Sequence, residues 1–271
     1  MLGSSPEEKR KNLIRMVGIA SEAGVEVVVL DSERAVDDLK PADVEAAAEY
    51  SDAVGGPVVA PTIPVRRSDF GSLLPSYLEA LSRRRRMGLC IVAGNPAYLS
   101  VEEASVRPGR LLWFACRVAS RVLNGRPLLL GTENVEGVSR RICSSLGCTA
   151  FLLLDEGVED EARTFAELSR GGVAVYAPFF IGEDGVSKNV ERVLVSYARR
   201  RKRLARAVGN GSVGLREALR VSLVGGVEEV AERISTLASS RVNTLVGFPA
   251  ELSAEQLGNL VSASRLGWRK G

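Results

Sequence analysis

The sequence contains no histidine. That removes the commonest general base, the commonest neutral metal ligand and every Ser-His or Cys-His nucleophile arrangement. Acid–base chemistry must fall to carboxylates, tyrosines, lysines, arginines or a cofactor. Cysteine is scarce: Cys90, Cys116, Cys143 and Cys148 are scattered with no C-x-x-C pair, so buried free thiols are expected rather than a disulfide framework. Aromatic residues make up 5% of the chain, too few for an extended base-stacking surface. No stretch approaches the roughly 18 uninterrupted apolar residues of a membrane helix. The opening MLGSSPEEKRKN is polar and lacks the apolar core of a signal peptide, so a cytoplasmic protein without a membrane partner is expected. No G-x-G-x-x-G follows the first strand pattern, which takes the main support from a dinucleotide-binding reading.

What is present is a globular composition. Of 271 residues 45% are hydrophobic, ample for a core, and no interior linker or low-complexity tract interrupts them. A single domain over 1–271 is expected. The 36 basic and 33 acidic side chains leave a formal charge of +3, which disfavours a nucleic-acid partner. Leu13, Ile14, Val17 and Ala20 recur at helical spacing in an opening helix, Pro6 to Ala23, which Gly24 stops. A β-branched run, Val25 to Leu30, follows and ends at Asp31, as in a strand buried on both faces. The same order of helix, turn, apolar strand and polar end returns at Thr149 to Leu154 and again at Ala238 to Gly247. Further short apolar runs at Pro57 to Ala60, Met87 to Ala93, Pro127 to Leu130 and Val173 to Ile181 alternate with helical patterns, including a long one over Val186 to Val208. About seven strands alternating with helices predict an open doubly wound sheet or a (β/α)8 barrel.

Near the C-terminus, V-x-L-V-G-G-V-E-E-V-A-E-R-I (221–234) precedes V-N-T-L-V-G-F-P (242–249). This pair resembles the C-terminal end of the bacterial luciferase-like monooxygenase superfamily, especially its archaeal branch of deazaflavin-dependent methylenetetrahydromethanopterin reductases. Val59 to Arg67 resembles the family's segment after its third strand, Tyr77 to Ser82 its L-x-x-L-S, Leu128 to Gly131 its fifth strand, and Val173 through Asp184 its seventh strand and the helix start after it. The resemblance implies an α/β fold, a TIM (β/α)8-like barrel of the luciferase-like type. Its first strand is expected to be lacking or replaced here, because the sequence opens on the pattern of the first helix. A lost strand would leave strand edges to be covered by the N-terminal tail, by a partner chain or by closure onto seven strands.

The resemblance further implies a flavin cofactor, either FMN or the deazaflavin coenzyme F-420, and a small-molecule substrate. It places candidate catalytic residues at Asp31, Thr62 and Asn95, and candidate cofactor-binding residues at Ala60, Pro61, Gly94, Gly131, Thr132, Asn134, Gly225 and Gly226. No metal site is expected. Each candidate has a plainer role. Asp31 and Asp155 suit turns or helix caps, Ala60-Pro61 an ordinary strand end or a cis bond beneath a flavin ring, and Gly225-Gly226 tight turn geometry. Glu133 and Glu136 in the loop after Gly131, and Glu228 and Glu229 after Gly226, oppose a phosphate at those turns. Trp113, Phe114 and Tyr77 read as core or as a subunit interface of a homo-oligomer. The runs Arg83–Arg86 and Arg199–Arg203 read as solvated basic faces. Two functions lead: an oxidoreductase transferring hydride with a flavin or deazaflavin, and a non-catalytic binding or assembly protein that has lost its cofactor; an RNA-associated barrel using the arginine runs is a remote third.

Overall fold

Ser5 opens the first helix by accepting the N–H of Glu8, and Pro6 sits in the first turn, where its missing N–H is harmless. The computed structural model describes residues 5–33, 39–183, 185–209 and 211–271; Asp184, expected at the helix start after the seventh strand, lies outside them. The chain packs as two compact units, Met1–Ala150 with Ser169–Gly171, and Phe151–Leu168 with Gly172–Gly271.

The first unit alternates helix and strand in the order α1 (Pro6–Glu22), β1 (Val27–Leu30), α2 (Pro41–Val54), β2 (Val58–Pro64), α3 (Phe70–Arg83) and β3 (Leu89–Val92). A short 3-10 turn (Pro96–Tyr98) leads to α4 (Val101–Ser105), α5 (Gly109–Leu123), β4 (Leu128–Gly131), α6 (Glu136–Leu146) and the start of β5 (Thr149–Leu153). Its strands pair in parallel, β1 with β2, β2 with β3, and β3 with β4. Strand β2 carries two prolines and runs on past Ala60, where the sequence pattern stops. Its first half, Val58–Pro61, pairs with β1, and its second, Thr62–Pro64, pairs with β3. Pro61 lies inside the strand opposite Leu30 of β1, and Val59 already reaches the other side, donating its N–H to the carbonyl of Arg86 at 2.9 Å and accepting the N–H of Gly88 at 2.9 Å. Leu13 and Val17 of α1, Val44 and Ala47 of α2, and Leu89 and Ile91 of β3 are fully buried. Each large aliphatic side chain so placed contributes about 1.5 to 3 kcal/mol of transfer free energy.

The second unit holds α7 (Val158–Leu168), β6 (Val173–Ile181), α8 (Lys188–Ala198), α9 (Lys202–Val208), α10 (Leu215–Arg220), β7 (Leu223–Gly225), α11 (Val227–Ser239), β8 (Thr244–Pro249) and α12 (Ala254–Lys270). Strand β6 is the hub: β8 pairs along Ala174–Phe179 and the short β7 pairs beyond it, along Phe179–Ile181, both in parallel. Among the described residues β1 has one strand neighbour, β2, and β8 has one, β6. Helices α11 and α12 lie against each other so closely that a Cβ at Gly267 would stand 2.7 Å from the carbonyl oxygen of Ala231.

The single helix expected over Val186 to Val208 is two. The chain breaks after Ala198, and Arg201 in the break is buried, its guanidinium 4.6 Å from the centre of the Tyr197 ring. Arg203 pairs with Glu161 at 2.6 Å. The run Arg199–Arg203 is thus partly an internal brace, because a guanidinium can stack on an aromatic face while its stem packs. The run Arg83–Arg86 is a surface ion-pair network: Arg83 meets Glu45 and Glu79, and Arg84 meets Glu45 and Glu49. All four cysteines are buried free thiols. No described helix is long and apolar enough to cross a membrane.

Candidate functional site

In the first unit every strand points the same way, so the residues after β1, β2, β3 and β4 emerge on one side of its sheet, the side on which α/β proteins build their sites. Asp31, Ser32 and Glu33 follow β1. Asp31 is exposed and its Oδ1 accepts the N–H of Glu33 at 3.1 Å, the turn role that short acidic side chains favour. Ser32 is buried and donates to the carbonyl oxygen of Thr62 at 2.5 Å, fastening this segment to β2. Thr62 is itself buried, in register with Cys90 of β3.

The residue that gathers this end of the sheet is Glu33, which the sequence alone does not single out. Its Oε2 accepts the N–H of Asn95 at 2.8 Å, joining the loop after β1 to the turn after β3. Burial pushes its carboxyl up to about 7; the Asn95 N–H works against this, the charges of Asp31 and Glu133 reinforce it, and Arg66 opposes it. Burial, with Glu33 nearby, also drives the Cys90 thiol far up, and the Thr62 hydroxyl beside it offsets only part of that. Cys90 is therefore neutral and inert as a nucleophile.

Two arginines frame the place. Arg66 spends its guanidinium on three main-chain carbonyls, those of Ala93 (2.8 Å), Gly94 (2.6 Å) and Ala104 (3.1 Å). Arg67 donates to the carbonyl of Ser32 at 3.2 Å and to both carboxylate oxygens of Asp69. Gly94 has a φ of 94°, which favours glycine, and Asn95 caps the 3-10 turn by accepting the N–H of Ala97 at 3.0 Å. Ala60 and Pro61 lie inside β2, in register with Val29 and Leu30, rather than beyond its end. No cis peptide bond occurs among the described residues, so Ala60–Pro61 is trans.

The turn after β4 is where a phosphate would be expected. Gly131 approaches β3 closely, a Cβ there standing 2.9 Å from Cγ1 of Val92, and Thr132 is buried. Asn134 takes a φ of 64°, and its N–H donates to Oε1 of Glu136 at 3.1 Å. In the second unit Gly225 has a φ of 138°, and the N–H of Gly226 donates to Oε2 of Glu229 at 3.0 Å. That carboxylate lies over the turn, 2.2 Å from where a Cβ on Gly225 would be. At both turns the chain's own glutamate takes the N–H an anion would need. A cofactor phosphate at either turn would have to displace that carboxylate.

Asp155, a candidate acid or base by its position after β5, is a cap. Its carboxylate accepts the N–H groups of Glu156 (2.8 Å), Arg203 (3.1 Å) and Leu204 (2.9 Å), holding the start of α9. Phe248, at the end of β8, is 43% exposed and stands 6.1 Å from the Tyr176 ring. Tyr77 is core, whereas Trp113 and Phe114 face outward. No cluster of three or more metal-ligating side chains occurs among the described residues.

Two solved structures with the same fold are monooxygenases. The chain superposes on monooxygenase RslO1 from Streptomyces bottropensis with a TM-score of 0.62 at 15% identity, covering 98% of this chain and 93% of that one. It superposes on the oxygenating constituent of 3,6-diketocamphane monooxygenase from the CAM plasmid of Pseudomonas putida, a type II Baeyer-Villiger monooxygenase solved in complex with FMN. There the TM-score is 0.68 at 14% identity, covering 98% of this chain and 95% of that one. At such identities the likeness shows the fold, a parallel α/β barrel of the luciferase-like type, as the sequence motifs imply. No curated protein matches the sequence. Residues 11–257 match the sequence profile described as Family of unknown function (DUF7388), and the chain belongs to that family.

Proposed function

We propose that the chain is a luciferase-like oxidoreductase that works on a small organic substrate at the C-terminal strand ends of its first unit, with a flavin or deazaflavin supplying the redox chemistry. The observation that carries this reading is Glu33: a partly buried carboxyl, held by the Asn95 N–H at 2.8 Å, beside Asp31 and Arg66 at the C-terminal strand ends of a parallel sheet. Support also comes from the fold, which two monooxygenases share, one of them in complex with FMN.

In this reading the cofactor carries the electrons, so the missing histidines are no obstacle. The chain's own residues position groups and hold a proton. A carboxyl raised to about 7 exchanges its proton near neutrality, the range in which general acid–base catalysis is most effective. Arg66 keeps the backbone of Ala93 and Gly94 in place, and through it the N–H of Asn95 that orients Glu33. A phosphate bound at either glycine turn would take the place of Glu136 or Glu229. The archaeal deazaflavin branch is the finer form of this proposal, on the motifs 221–234 and 242–249.

A second reading has its own observation. Glu136 and Glu229 fill both turns that could hold phosphate, which favours a binding or assembly protein without a flavin. An absorbance scan of the purified protein, followed by titration with FMN and with the deazaflavin coenzyme, separates the two. Saturable binding of either supports the oxidoreductase. No binding at millimolar concentration supports the second reading.

A further inference from the structure

The outer face of α5 carries an arrangement that the strand-end site does not use. Arg110, Trp113, Phe114, Arg117 and Arg121 recur at helical spacing on the exposed side, while Leu112, Ala115, Cys116, Ala119 and Leu123 on the opposite side are buried. Trp113 is 37% exposed and Phe114 56%. Between α5 and α6 an open groove of about 570 Å³ is lined by Arg110, Trp113, Phe114, Arg117, Val138 and Arg141. Helix α5 has no acidic residue. Among the described residues Arg110, Arg117, Arg121 and Arg141 make no ion pair, although Arg83, Arg84, Arg163, Arg203, Arg220 and Arg233 all do. Arg141 donates a hydrogen bond to the carbonyl of Gly137 at 3.2 Å.

We propose that this groove docks an acidic segment of another protein, an amphipathic helix whose apolar side chains seat on Trp113, Phe114 and Val138 while its carboxylates meet Arg110, Arg117 and Arg141. Charge complementarity selects the occupant. A second copy of this chain docking through a two-fold axis would set the patch against itself, and a patch with three arginines and no carboxylate repels its own image. Trp and Arg beside an apolar floor form the composition in which binding energy concentrates, and a groove between two helices is the shape that accepts an amphipathic helix. Two neighbouring aromatics on one helix do not make the extended platform that single-stranded nucleic acid stacks upon. The proposal is independent of the chemistry at the strand ends.

The chain holds two tryptophans, Trp113 and Trp268, so Trp268→Phe leaves Trp113 as the sole reporter. The probe is a short synthetic helical peptide with leucines at i, i+3, i+4 and i+7 and glutamates elsewhere. Its glutamine-for-glutamate twin, polyuridylate and phosphatidylserine-containing vesicles are run beside it. The expected result is a saturable shift of Trp113 emission with the acidic peptide, weakened by salt. Affinity falls about tenfold or more in Arg117→Glu and with the glutamine peptide, while Arg121→Glu, outside the groove lining, changes little. Circular dichroism of both variants confirms that they fold. The proposal is overturned if no peptide binds at millimolar concentration or the glutamine peptide binds equally well. It is also overturned if Arg117→Glu binds unchanged, if polyuridylate or the vesicles bind while the peptide does not, or if sedimentation shows an oligomer that Arg117→Glu dissociates.

Discussion

The main-chain N–H of Asn95, at the turn after β3, donates to the carboxylate of Glu33, 62 residues earlier in the chain, at 2.8 Å. This bond sets the position of an acid whose carboxyl burial has pushed up to about 7 from 4.5. A raised carboxyl stabilises the fold while it is protonated. Its contribution is complete below about pH 4.5 and is lost as pH rises to about 7. Glu33→Gln keeps an oxygen for Asn95 and cannot ionise. Relative to it, the native protein is expected to lose on the order of 2 to 3 kcal/mol between pH 4.5 and pH 8, read by urea denaturation across that range. Parallel pH curves for the two proteins would remove Glu33 from the account.

Arg66 holds three carbonyl oxygens at once, on Ala93, Gly94 and Ala104. Arg66→Ala is expected to lower stability by about 2 kcal/mol, and Arg66→Lys to recover less than half, because one ammonium cannot replace a planar fork spread over three acceptors. Chemical denaturation measures both. Full rescue by lysine would mean that charge alone matters at this position.

Glu229 accepts the N–H of Gly226 at the start of α11. Glu229→Ala is expected to cost about 1 kcal/mol, as the loss of a helix-start partner does, and Glu229→Gln less, since the amide oxygen still accepts. The same alanine variant clears the turn. Inorganic phosphate binding, measured by calorimetry, should be stronger in Glu229→Ala than in the native protein; equal binding would show that the carboxylate is not what keeps an anion out.

Gln256 on α12 is buried and serves both main-chain groups of Ile181: its Oε1 accepts the N–H at 2.8 Å, and its Nε2 donates to the carbonyl oxygen at 2.9 Å. Gln256→Leu leaves both without this partner, although Asn259 still reaches the carbonyl at 3.2 Å. The expected loss is about 2 to 3 kcal/mol, with Gln256→Glu intermediate because it accepts but no longer donates. Thermal unfolding of the two variants checks the order.

Much of the fold is legible from local pattern. The nine residues Val173–Ile181 form β6 as read, and Leu13, Val17 and Ala20 of the opening helical pattern lie buried on α1. Local pattern misleads where a tertiary contact takes over. Pro61 looks like a strand breaker, yet β2 runs through it, in register with Leu30 of β1, and ends only at Pro64, opposite Val92 of β3. Arg201 looks solvated in a basic run and is instead buried against Tyr197. At the site, Asp31 was visible by its place after a strand, but Glu33 was not: its importance comes from burial and from Asn95, both set by how β1 and β3 lie in one sheet. Its only sequence signal is a second acid two residues beyond Asp31. The acidic character of the two glycine turns could be read directly, since Glu136 and Glu229 act on N–H groups two and three residues away.

The most direct test of the proposed oxidoreductase is titration of the native protein and of Glu33→Gln with FMN and with the deazaflavin coenzyme, followed by the ring's absorbance from pH 5 to pH 9. The account predicts saturable binding of one of them, with an affinity that changes around pH 7 in the native protein and stays flat in Glu33→Gln. Absence of binding by both rings at millimolar concentration, or the same pH dependence in both proteins, would contradict it.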